Sequence, residues 1–67
     1  MKMRSLRERI LSEFDRLEAS LKWVSIHLYT FGYTEEENKI KEAVRHLNTA
    51  RQLFDSAMQS LERKVNL

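Results

Sequence analysis

The chain has 67 residues, a formal net charge of +2, one Gly, no Pro and no Cys. That length gives one domain with a small core, and the lack of Cys excludes a disulfide framework and any thiolate metal site. One third of the residues are charged, no apolar run reaches membrane-spanning length, and Met1 to Leu11 lacks the apolar core of a secretory leader; the expected setting is cytoplasmic, without a membrane.

The first predicted element is a helix over about residues 3–30. Met3, Ile10, Leu17, Val24 and Phe31 recur at a spacing of seven, with Arg7, Phe14, Leu21 and Leu28 on the adjacent row. Two such rows make an apolar stripe of the kind that buries against another helix. Trp23 to Tyr33 is rich in aromatic and β-branched residues, so propensity alone allows a strand there. The heptad runs through the segment, however, and the chain offers no second strand to pair with it.

A turn is predicted over 31–34. Gly32 suits the left-handed residue that ends a helix. Thr34 followed by Glu37 reads as a capping box, and Glu35, Glu36 and Glu37 face the positive end of the next helix dipole. The second helix is then predicted over about 35–65. Ile40, Leu47, Phe54 and Leu61 form one row; Val44, Arg51, Met58 and Val65 form the other. Ala43, Ala50 and Ala57 share the same period on the adjoining row, where small side chains let another backbone come close.

The short turn makes the helices antiparallel neighbours. Folding the rows about residue 34 pairs Leu28 with Ile40, Val24 with Val44, Leu21 with Leu47, Leu17 with Arg51, Phe14 with Phe54, Ile10 with Met58, Arg7 with Leu61 and Met3 with Val65. Two rows and a turn, read separately, give one register. Arg51 is expected to pack its stem and turn its guanidinium outward, to Asp55 or Glu18.

One seam does not account for all the apolar surface. Ser20, Trp23 and His27 on the first helix, with Ala43, His46, Ala50, Leu53 and Ala57 on the second, form a predicted oligomer interface. The fold-class expectation is therefore all-α: an antiparallel two-helix coiled-coil hairpin that dimerises into a four-helix bundle. Ile26, Tyr29 and Tyr33 add apolar surface near the turn.

Chemistry is weakly signalled. His27 and His46 lack the further ligands that a metal site needs, Glu42 beside His46 is a common helical pair, and no phosphate loop or nucleophile constellation is present. No cofactor, metal or catalytic residue is expected, and the chain reads as no enzyme. Lys2, Arg4, Arg7, Arg9, Arg63 and Lys64 gather at the end where both termini meet. This basic end compensates the dipole of the second helix; its functional alternative is a phosphate-contacting patch, without the aromatics that stack bases. The functional expectation is a small oligomerising protein, a homodimer acting through protein–protein contacts. The alternative is a nucleic-acid-binding regulator that uses the basic end.

Overall fold

The computed structural model describes residues 3–65, and the side chains from residue 4 onward. It contains two helices, α1 (Met3–Thr30) and α2 (Thr34–Val65), packed antiparallel along their length into a rod of 54 × 17 × 9 Å. No strand occurs among the described residues, and Trp23 to Thr30 is helical. Of the sequence-predicted features, Lys2 and the Met3–Val65 layer lie outside what the structure describes.

The turn is closed by backbone bonds. The Tyr33 amide donates to the Leu28 carbonyl at 2.9 Å and the Gly32 amide to the Tyr29 carbonyl at 3.1 Å. This is the Schellman pattern, with the glycine in the left-handed region at φ 80°. The start of α2 differs from the predicted capping box. The Glu37 amide donates to the Tyr33 carbonyl at 2.9 Å, so Tyr33 takes the cap position and Thr34 enters the first helical turn. Glu37 is the one buried residue among those described, at 8% exposure, and Lys41 reaches its carboxylate at 3.3 Å.

The Phe14 and Phe54 rings meet across the seam with centroids 5.8 Å apart. Leu21, Leu28, Ile40, Val44, Leu47 and Met58 are half-buried in the same seam. The other row predicted for α1 is placed differently. Leu17 is 50% exposed, Val24 41%, and Phe31 is exposed as well, while Leu11, Glu18 and Ser25 are half-buried in their stead. The helix is rotated so that Phe14, Leu21 and Leu28 form the middle of its contact surface.

Polar bridges account for the rotation. Arg51 Nε donates to Asp15 at 2.9 Å, Asn48 donates to Glu18 at 3.3 Å, and Arg7 lies 3.1 Å from Glu62 and 3.9 Å from Asp55. Arg51 thus reaches neither Asp55 nor Glu18, and the predicted Leu17–Arg51 and Arg7–Leu61 layers give way to these charged contacts. All of the bridges lie along one edge of the seam. Charge-assisted bonds are the stronger directional contacts, and making them requires Leu11, Glu18 and Ser25 to turn toward α2. The Ile10–Leu17–Val24 row turns toward the opposite edge. No apolar side chain among the described residues is fully buried.

A Cβ at Gly32 would meet nothing within 4 Å, so the constraint there is conformational rather than steric. Gly32→Ala should cost about 1–2 kcal/mol, the left-handed penalty of an L-residue, and Gly32→Asn less. Chemical unfolding of the two variants beside the wild type checks the order; equal stability of all three would contradict it.

Candidate interaction surfaces

The two long edges of the hairpin differ in chemistry. The bridged edge carries Glu18, Asn48, Asp55 and Glu62 on its flanking rows, tied across the helices as described. The opposite edge follows from the heptad order. On α1 the row beside Phe14–Leu21 is Ile10, Leu17 and Val24, with Glu13, Ser20 and His27 next to it. On α2 the row beside Val44–Met58 is Ile40, Leu47 and Phe54, with Ala43, Ala50 and Ala57 next to it. Among the described residues, no hydrogen bond or ion pair joins the helices across this edge.

The eight residues predicted for an oligomer interface are all exposed. They fall into two sets. Ser20, His27, Ala43, Ala50 and Ala57 line the apolar edge. Ser20 donates its hydroxyl to the Arg16 carbonyl of its own helix at 3.2 Å, so it presents small surface and no free donor. Trp23, His46 and Leu53 lie farther round, on the outer sides of their helices. Trp23 packs against His27 in a tilted arrangement with ring centroids 4.3 Å apart, and remains 61% exposed; Leu53 is 68% exposed. Prediction from sequence overlooked the contribution of Leu17 and Val24 to this surface, because it assigned both to the intramolecular seam. A groove of about 450 Å³, lined by Ile10, Glu13, Phe14, Arg16, Leu17 and Ser20, runs beside them.

The basic end is less uniform than its sequence suggests. Arg7 is committed to α2 through Glu62 and Asp55, with its guanidinium half-buried. Arg7 Nε and Glu62 Oε2 are enclosed without a directed hydrogen bond, so charge rather than geometry carries that contact. Arg4 is exposed and pairs with Glu8 at 3.3 Å, and Arg63 Nε points back to the Gln59 carbonyl at 3.4 Å. Glu8, Asp55 and Glu62 therefore interrupt the cationic surface at Arg4, Arg7, Arg9, Arg63 and Lys64. At the turn end Glu35 and Glu36 are exposed.

His46 Nε2 lies 3.7 Å from Glu42 Oε1, and Arg45 hydrogen-bonds the same carboxylate. The Arg45 bond holds the Glu42 carboxyl below its ordinary range, with the charges of Arg45 and His46 acting in the same direction. Among the described residues, no three His, Cys, Asp or Glu side chains are grouped to hold a metal ion, and no helix is long and apolar enough to cross a membrane.

No protein-family model, no curated protein and no solved structure matches this chain.

The two arginines of the basic end should differ when truncated. Arg7→Ala leaves Glu62 and Asp55 near each other and half-enclosed, and should destabilise the fold by about 1–2 kcal/mol. Arg4→Ala removes an exposed helical pair and should cost under about 0.5 kcal/mol. Paired urea titrations read the difference; equal losses would mean that Arg7 does not close the open end of the hairpin.

Proposed function

We propose that this chain is a small non-enzymatic protein whose function is to self-associate through its apolar edge and present the assembled helices to a protein partner. The observation that carries this reading is the exposure of Leu17 and Val24, in line with half-buried Ile10, beside the exposed alanine row of α2. The hairpin alone exposes 5464 Å². A compact folded chain of 8.1 kDa exposes about 4,500 Å² by the scaling of surface with mass. The excess, on the order of 1,000 Å², is comparable to the roughly 800 Å² that each partner contributes to a standard interface. A second copy on that edge would turn two half-buried seams into the shared core of a four-helix bundle.

The apolar character of the edge favours a protein surface over phosphate as its occupant. The basic end, interrupted by carboxylates, supports the nucleic-acid alternative less well. Oligomerisation also supplies the staple that a disulfide-free chain of this size lacks.

Thermal stability should rise with protein concentration, as it does when association and folding are linked. Leu17→Glu, in the middle of the edge, should raise the dimer dissociation constant by at least about tenfold, equivalent to 1.4 kcal/mol. Trp23→Ala, farther round the helix, should act more weakly. Sedimentation equilibrium measures all three chains, and a wild type that stays a stably folded monomer at tens of micromolar would overturn the reading. A second expectation concerns nucleic acid: no saturable binding to RNA or duplex DNA in a mobility-shift titration at physiological salt. A saturable complex that weakens steeply with salt would replace self-association by the nucleic-acid role.

A further inference from the structure

Two copies of a hairpin can stack edge to edge about a two-fold axis in two ways. With the axis along the rod, both turns lie at the same end, and each α1 lies beside α2 of the second copy. With the axis across the rod, the turns lie at opposite ends, α1 lies beside α1, and α2 beside α2. Both make every neighbouring pair antiparallel, so helix polarity does not choose between them.

The side chains of the apolar edge do choose. On α2 the exposed row reads Glu36, Ala43, Ala50, Ala57, Lys64 at a spacing of seven. It is symmetric in size about Ala50 and opposite in charge at its two ends. Set antiparallel against itself with Ala50 on the axis, Ala43 meets Ala57 of the second copy and Glu36 meets Lys64 of the second copy. On α1 the row Ile10, Leu17, Val24 is symmetric about Leu17 in the same sense: Leu17 meets its own copy, and Ile10 meets Val24 of the second copy. The flanking Glu13 then faces Ser20 of the second copy, and Leu6 faces His27, so no like charges are opposed.

The two centres have to sit at one height along the rod for a single axis to serve both helices, and the seam fixes that height. Phe14 lies against Phe54, Glu18 bonds Asn48, and Asp15 bonds Arg51. These pairs bracket Leu17 opposite Ala50. The two rows thus share one centre, although nothing within a lone hairpin requires it.

Charge at the ends points the same way. The terminal end exposes Arg4, Arg9, Arg63 and Lys64, and the turn end exposes Glu35 and Glu36, with Lys39 paired to Glu35 and Lys41 to Glu37. Helices in contact lie about 8–10 Å apart, close to the screening length of about 8 Å at physiological salt. Turns at the same end would set basic end on basic end; turns at opposite ends set the basic end against Glu35 and Glu36 of the second copy.

Resting on the self-association proposed above, we infer that the occupant of the apolar edge is a second copy of this chain with its turn at the opposite end, the two-fold axis passing through Leu17 and Ala50. Ala50 then lies within disulfide reach of its own copy, where Cα atoms closer than about 7 Å are required. Ala43 and Ala57 lie too far from their own copies: the 14 residues between them span about 21 Å of helix. Each lies within reach of the other.

The chain has no native Cys, so single substitutions report cleanly. The expected result of mild oxidation is a covalent dimer from Ala50→Cys alone, none from Ala43→Cys or Ala57→Cys alone, and a covalent dimer from those two mixed. The wild-type dissociation constant should also rise with salt. Unlinked Ala50→Cys, with a covalent product from Ala50→Cys mixed with Ser20→Cys and association strengthened by salt, would overturn the opposite-end arrangement and leave self-association standing. A wild type monomeric in sedimentation equilibrium would overturn both. Helicity by circular dichroism confirms that each variant is folded; all four positions are exposed in the hairpin, so the substitutions remove no contact between its two helices.

Discussion

Two helices in contact share one line, and that line is narrower than the apolar surface this sequence builds. A side chain on the seam touches one opposing helix and has water on at least one flank. This is why Phe14, Leu21, Val44, Leu47 and Phe54 are half-buried and no apolar residue among those described is enclosed. The polar bridges act within that constraint. With little difference in apolar burial between one rotation of α1 and the next, the directional bonds of Arg51 and Asn48, together with the ion pairs of Arg7, set the angle. One edge of the seam is satisfied by charge, and the apolar remainder is concentrated on the other.

Fold class, antiparallel arrangement and the Phe14–Phe54 layer were legible because each rests on a redundant signal. Two rows at a spacing of seven and one glycine specify a hairpin several times over. The rotation of α1 was not legible. Its apolar stripe is two rows wide, and periodicity locates a stripe without saying which half faces an intramolecular partner. Asp15 looked like an ordinary solvated position and Glu18 like a possible partner of Arg51; the structure pairs Asp15 with Arg51 and Glu18 with Asn48. The start of α2 was misplaced by one residue for a related reason. Thr34 and Glu37 carry capping-box chemistry, but the Schellman turn positions the Tyr33 carbonyl to take the Glu37 amide first.

The interaction surface was legible in part. Exposure of Ser20, Trp23, His27, Ala43, His46, Ala50, Leu53 and Ala57 follows from their absence from the two main rows. Their division between an apolar edge and the outer helix sides depends on rotation, so it required the structure. The basic end illustrates the converse: the sequence places Arg7 both on the seam row and in the basic end, and its ion pairs with Glu62 and Asp55 commit it to the seam. Summed charge along a helix does not distinguish a cation offered to solvent from one that closes a fold.

The turn has a consequence for how the chain assembles. Its bonds join residues at most five apart, so it forms without waiting for any distant segment. Each layer beyond it closes a longer loop, but only by a small increment once the layer before is in place. Assembly is therefore expected to run like a zipper from Gly32 outward, through Leu28 and Ile40, then Phe14 and Phe54, to Arg7 and Glu62 at the open end. Opening runs in reverse, and amide exchange should grade along both helices from slow near the turn to fast at the termini.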